Sequence, residues 1–164
     1  MAIRRMNHAV LYVRNVERSV AFYRDVLGFQ VVNAMPGAAF IQAPASINDH
    51  DLGLFQIGSE AAASQAGRGQ VGLYHLAWEV ERLGDLEGLA DSLSLAGALV
   101  GASDHGTTKS LYAKDPDGLE FEVMWMIPLA EQTEADRTAS SSIRPLDLPS
   151  EVARFGADAT SALA

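Results

Sequence analysis

The chain has 164 residues, 48% of them hydrophobic and 20% charged, which suits one globular domain with a core of its own. A formal charge of -9 argues against a nucleic-acid surface, which needs clustered Lys and Arg, and the lack of cysteine excludes disulfides, thiolate metal sites and a Cys nucleophile. No apolar run approaches the ~18–20 residues of a membrane span, and "MAIRRMNHAV" lacks a signal-peptide stretch, so no membrane partner and a cytoplasmic location are expected.

In chain order, "NHAVLYV" (Asn7–Val13) reads as a strand. "NVERSVAFYRDVLGF" follows, with Val16, Val20, Phe22, Tyr23, Val26 and Leu27 at helical spacing and Gly28 at the stop. Three strands are expected next, at Gln30–Ala34, Ala39–Ala43 and Asp51–Ile57. "GSEAAASQAGRGQVG" is a flexible connector. The pattern then restarts. "YHLAWEV" (Tyr74–Val80) is a strand, and Leu86, Leu89, Ala90, Leu93 and Ala96 mark a second helix that ends at Gly97. Strands at Val100–Ala102, Ser110–Lys114 and Glu120–Met126 follow, the last two joined by the turn "DPDG" (Asp115–Gly118). The order is βαβββ, twice. The expected organisation is one domain over 1–127, with modules at 1–58 and 71–127 and a linker at 59–70. The remaining 128–164 is polar and broken by Pro. It is expected as a solvated extension with one short helix near Ser150–Phe155, or else as an arm on a partner subunit.

The repeat superimposes polar residues. His8 and His75 stand 67 apart, each at the second position of its module's first strand. In the last strands, "LGLFQIG" and "GLEFEVMW" align Gln56 with Glu122 at an offset of 66. Alternation sets Glu122 opposite to Phe121 and Val123. Taken singly, each His also reads as an ordinary core or surface residue. Together, two His and one carboxylate at repeat-related positions suit a metal centre at His8, His75 and Glu122. That donor set leaves positions open for substrate and O₂ on a non-haem Fe(II) ion.

These features resemble the vicinal oxygen chelate superfamily, which includes glyoxalase I, fosfomycin and bleomycin resistance proteins, and extradiol ring-cleaving dioxygenases. The resemblance covers roughly Arg4–Met126, and the "DPDG" turn with an acid four residues after its Gly is among its more specific marks. It implies an α+β fold of tandem βαβββ modules, forming a curved mixed sheet around a metal site, with Glu122 as a ligand. Glyoxalase I-like members usually carry an acid on the last strand of both halves. Gln56 at the aligned position cannot take a proton at neutral pH. The extradiol members are the better match, although many of them have two such double modules where this chain has one. By that resemblance His50 is an acid/base near bound dioxygen, Tyr112 bonds the ring oxygen of the substrate, and His105 contacts substrate from the pocket rim. The implied reaction cleaves a catechol-like diol with O₂, on Fe(II) first, with Mn(II), Zn(II), Ni(II) or Co(II) as alternatives. A homodimer or higher homo-oligomer is expected. The competing functions are a metal-dependent isomerase, lyase or epimerase, and a drug-binding resistance protein.

Overall fold

The computed structural model describes residues 2–3, 5–66 and 69–162. It divides into two compact units, Met1–Ser64 with Asp115–Gly118, and Gln65–Lys114 with Leu119–Ala164. Among the described residues, no helix is long and apolar enough to cross a membrane.

The first unit runs β1 (Ala9–Val13), α1 (Val16–Leu27), β2 (Gln30–Met35), β3 (Ala38–Gln42) and β4 (Leu52–Gln56). Its sheet has the order β1-β4-β3-β2, with β1 and β4 parallel and the other pairs antiparallel. The helix begins where the Asn15 side chain accepts from the Arg18 N–H at 2.7 Å, satisfying a donor that the first turn leaves open. α1 packs on β3 and β4, and Val16 and Tyr23 are buried along with Leu11, Val13, Ile41, Leu52 and Leu54. Strand alternation leaves Val10, Tyr12 and Phe55 on the open face.

The "DPDG" turn belongs to this unit. Asp115 shapes it by accepting from the Asp117 N–H at 2.9 Å, and Gly118 takes a φ of 83°, which a side chain would resist. The turn then clamps the start of α1. Asp117 accepts from the Arg14 N–H at 2.9 Å and pairs with its guanidinium at 3.0 Å, and the Pro116 carbonyl accepts from Arg18 at 3.0 Å. Burial pushes the Tyr23 phenol well above its ordinary range, and Asp115 beside it adds to the shift.

The second unit repeats the plan with β5 (Leu76–Glu79), α2 (Leu83–Leu95), β6 (Leu99–Asp104), β7 (Thr108–Lys114) and β8 (Glu120–Met126). The C-terminal segment adds α3 (Glu134–Ala139), β9 (Arg144–Pro145) and α4 (Leu148–Phe155). The sheet order is β5-β8-β7-β6-β9, so β9 covers the edge of β6.

The extension is therefore not a solvated tail. Trp125 on β8 is fully buried, its indole N–H donates to the Ala159 carbonyl at 3.0 Å, and its ring lies 5.4 Å from Phe155 of α4. Lys109 on β7 is 1% exposed, with its ammonium 2.6 Å from Asp104 and 3.5 Å from Glu151 of α4. Arg144 of β9 reaches the same Asp104 at 2.7 Å. A buried ammonium needs partners, and part of that need is met from the extension. The sequence hides this because the anchoring residues are single side chains spaced among small polar ones.

Candidate metal centre and catalytic residues

Strand alternation sorts β8 cleanly. Phe121, Val123 and Trp125 are buried, while Glu120, Glu122, Met124 and Met126 lie half-exposed on the other face. Glu122 stands beside Ala77 of β5 and Tyr112 of β7 in the strand register. His75 precedes β5 by one residue, and its Nε2 lies 3.1 Å from Glu122 Oε2. Its Nδ1 is buried with no hydrogen-bond partner, so the ring is placed by packing, with the Tyr74 and Tyr112 rings 4.7 and 5.9 Å away. Tyr112 carries the link onward, its hydroxyl 2.8 Å from His105 Nε2. Burial raises the Tyr112 phenol above its ordinary value, and the Glu122 charge raises it further, so Tyr112 is a protonated donor at neutral pH.

Four of the six expected site residues thus meet in the second unit: His75, Glu122, Tyr112 and His105. The other two meet in the first. The rings of His8 and His50 lie 4.4 Å apart, and His50 also stands edge-on to Phe40 at 5.0 Å. His8 precedes β1 as His75 precedes β5, and its Nδ1 is 2.7 Å from Asn7 Oδ1. His50 Nδ1 lies 3.2 Å from Asp49.

Asp51 is the organiser of the loop that carries His50. Its carboxylate accepts from the Ala43 N–H at 2.8 Å, the Ser46 hydroxyl at 2.8 Å and the Asn48 amide at 2.7 Å. Asn48 also donates to the Asn7 carbonyl at 2.7 Å, which ties the loop to the residue before His8. No sequence motif marks Asp51. A buried Asp that closes a short loop on itself is the only signal, and it needs coordinates to see.

The strand registers correct one expected equivalence. Ala9 pairs with Leu52 in the first unit and Leu76 with Phe121 in the second, so the counterpart of Glu122 is Gly53, not Gln56. Gln56 shares a face with the buried Leu52 and Leu54, and its Oε1 accepts from the Val16 N–H at 3.0 Å at the start of α1. The alignment of "LGLFQIG" with "GLEFEVMW" was three residues out of register, an odd shift, and an odd shift reverses the face. A Cβ on Gly53 would meet the Phe40, Phe55 and Val10 side chains at 3.4–3.5 Å, so this spot of the first unit is apolar. Phe40, opposite Gly53, is the counterpart of Tyr112, opposite Glu122.

The donor chemistry of the second unit fits a divalent metal. An imidazole nitrogen and a carboxylate oxygen converge on each other, as borderline and hard ligands for Fe(II) or Mn(II) would. Among the described residues, no group of three or more His, Asp or Glu that could hold a metal gathers.

The model of the Glyoxalase/Bleomycin resistance protein/Dioxygenase superfamily matches residues 5–123. The chain belongs to that superfamily. A manganese-dependent 2,3-dihydroxybiphenyl 1,2-dioxygenase of Geobacillus genomosp. 3 is 27% identical over 149 residues, which are 87% of this chain and 44% of that protein. A catechol-2,3-dioxygenase of Bacillus subtilis (strain 168) is 30% identical over 118 residues, 72% of this chain and 40% of that protein. The chain therefore spans less than half the length of these relatives. Among solved structures, a glyoxylase/bleomycin resistance protein/dioxygenase domain from Frankia sp. EAN1pec aligns with a TM-score of 0.61 at 20% identity, covering 83% of this chain and 99% of that one. The fosfomycin resistance protein FosX of Listeria monocytogenes aligns with a TM-score of 0.59 at 15% identity, covering 80% and 100%. At these identities the structures share the superfamily's α+β fold.

Proposed function

We propose that the protein is an extradiol-type ring-cleaving dioxygenase that acts on a catechol-like aromatic diol with O₂. The observation that carries this reading is the second-unit constellation, where the His75–Glu122 pair at 3.1 Å stands beside the Tyr112–His105 pair at 2.8 Å. The names borne by the relatives point the same way.

His8, His75 and Glu122 would hold the metal, Fe(II) or Mn(II). When bound, it supplies a Lewis acid that lowers the pKa of a coordinated hydroxyl and leaves sites for both reactants. Tyr112 orients the diol by accepting from one of its hydroxyls, and His105 holds the Tyr112 hydroxyl in place. His50 would be the acid that supplies a proton to oxygen during ring cleavage. Met124 and Met126, on the Glu122 face, supply adaptable apolar wall for an aromatic ring. Both oxygen atoms enter the product, a ring-opened muconic semialdehyde-type acid.

Isomerase chemistry of the glyoxalase type calls for a second carboxylate on the first unit. Gly53 stands at that counterpart position and has no side chain to offer. The test is reconstitution without air in Fe(II) or Mn(II), addition of catechols, and admission of O₂. A yellow ring-fission product with matching O₂ uptake is expected. Isomerase activity with no O₂ uptake would overturn the reading.

A further inference from the structure

The C-terminal segment does more than cover apolar surface. It packs on the turn that carries His105. Gly106 has a φ of 76°, and a Cβ there would sit 2.3 Å from the Asp136 carbonyl oxygen and 2.8 Å from Ala139 and Ser140 backbone atoms. α3 thus rests directly against the backbone of the residue after His105. The His105 ring is bracketed, with Nδ1 3.3 Å from the Ser142 carbonyl and Nε2 2.8 Å from the Tyr112 hydroxyl. A carbonyl oxygen only accepts, so the contact to Ser142 requires a proton on Nδ1. A neutral ring then has a bare Nε2, which accepts from the Tyr112 O–H.

We propose that the segment from α3 to Ser142 is a positioning element for Tyr112. By accepting from Nδ1–H it holds His105 in one tautomer. That tautomer turns the Tyr112 proton toward His105 and leaves the phenol oxygen free to accept from a diol hydroxyl. This last consequence rests on the dioxygenase reading; the tautomer does not. The segment is itself held by charge. Asp104 ties the His105 turn to the extension, accepting from the Gly106 N–H at 2.7 Å, from Lys109 at 2.6 Å and from Arg144 of β9 at 2.7 Å. Asp136 of α3 takes a bidentate pair from Arg154 of α4, at 3.0 and 2.7 Å. Arg154 also lies 4.3 Å over the Phe155 ring. Ser142, Arg154 and Gly106 become positioning residues through contacts outside the diol pocket.

The experiment uses the full metal-free chain with ¹⁵N-labelled histidine, near pH 8, where an ordinary imidazole of pKa about 6.5 is neutral. Imidazole nitrogen shifts give the His105 tautomer, and the Trp125 indole N–H, bonded to Ala159, reports whether the segment is docked. The wild type is expected to show Nδ1–H with a bare Nε2. Arg154→Met, remote from His105, is expected to release the segment, with urea added in small steps until the Trp125 signal moves. On release the two His105 nitrogens should collapse toward averaged shifts. Gly106→Ala should give the same collapse by displacing α3. A wild type in the Nε2–H form overturns the proposal, and so does a released segment with His105 still locked as Nδ1–H. Neither readout involves metal or catechol. A failed O₂-uptake assay would therefore count against the dioxygenase reading alone.

Discussion

The two units share one plan and divide the chemistry unequally. Each has the same order of four strands, to which the second adds β9 at the edge, and a His one residue ahead of the first strand. At register-equivalent positions of β4 and β8, however, the first unit has Gly53 beside Phe40, and the second has Glu122 beside Tyr112. At that position one sheet presents an aromatic ring, and the other an acid and a phenol. The covering differs too. α1 and the 115–118 turn finish the first unit, whereas the second is covered by α2 together with β9 and α4 of the C-terminal extension. A duplicated module can keep its fold on both copies while the side chains at equivalent positions diverge. The copy with the most buried polar chemistry is also the one that acquired extra cover.

The largest expected effect is at the candidate ligands of the second unit. Glu122→Ala or His75→Ala should abolish stoichiometric metal binding after reconstitution, read by elemental analysis of the purified protein. The fold should survive with modest destabilisation, because the surviving partner loses its neighbour. If either variant retains one metal per chain, His75 and Glu122 are not its ligands. The next largest effect tests whether the first unit contributes an acid. His50→Phe should keep metal and bind catechol without air, yet turn over about 10²–10⁴-fold more slowly. A wild-type rate would leave His50 as packing for Phe40 and His8.

The parts legible in the sequence were those with a local period or a local motif. Helical spacing from Val16 to Leu27 and the "DPDG" turn needed nothing beyond neighbouring residues, and both stand where expected. The same holds for the placing of Glu122 on the face opposite to the buried Phe121, Val123 and Trp125. Register between repeats was not legible. "LFQI" and "EFEV" look alike as strings, but only strand pairing shows that Gly53 answers to Glu122. The extension was illegible for a different reason. Its docking depends on single long-range contacts, such as Glu151 with Lys109 and Ala159 with Trp125, and these leave no periodic trace.

Acid should separate the two units by loosening the cover of one. The Arg154 hydrogen bonds hold the Asp136 carboxyl well below the ordinary range against the effect of burial, with Thr133 adding to them. Burial would raise Asp104, but Lys109, the Gly106 N–H and Arg144 outweigh it and keep that carboxyl low as well. Both folded pKa values are depressed. Their stabilisation is therefore fully present above the unfolded Asp value of about 3.9 and is lost as pH falls below it. Trp125 fluorescence should shift between about pH 4 and 2, ahead of any change in signals from the first unit. Coincident transitions in both units would show that the cover and the sheets unfold as one.

The smallest effect concerns Gln56, and it separates a structural amide from a catalytic one. Its Oε1 accepts from the Val16 N–H, one of the donors that the first turn of α1 leaves unpaired. Removing such a cap costs about 1 kcal/mol, which for a protein of this size lowers the melting temperature by roughly 2–4 °C. Gln56→Ala should therefore melt slightly earlier and cleave catechol at close to the wild-type rate. Position matters here more than residue type. Gln56 lies on the helix-covered face of β4, three residues from the Glu122 counterpart, so its loss removes nothing that faces a substrate. If instead Gln56→Ala lost activity on the scale of Glu122→Ala with its melting temperature unchanged, the register equivalence of Gly53 and Glu122 would not describe the working site. The isomerase alternative, with a first-unit residue in proton transfer, would then gain the support that Gly53 now denies it.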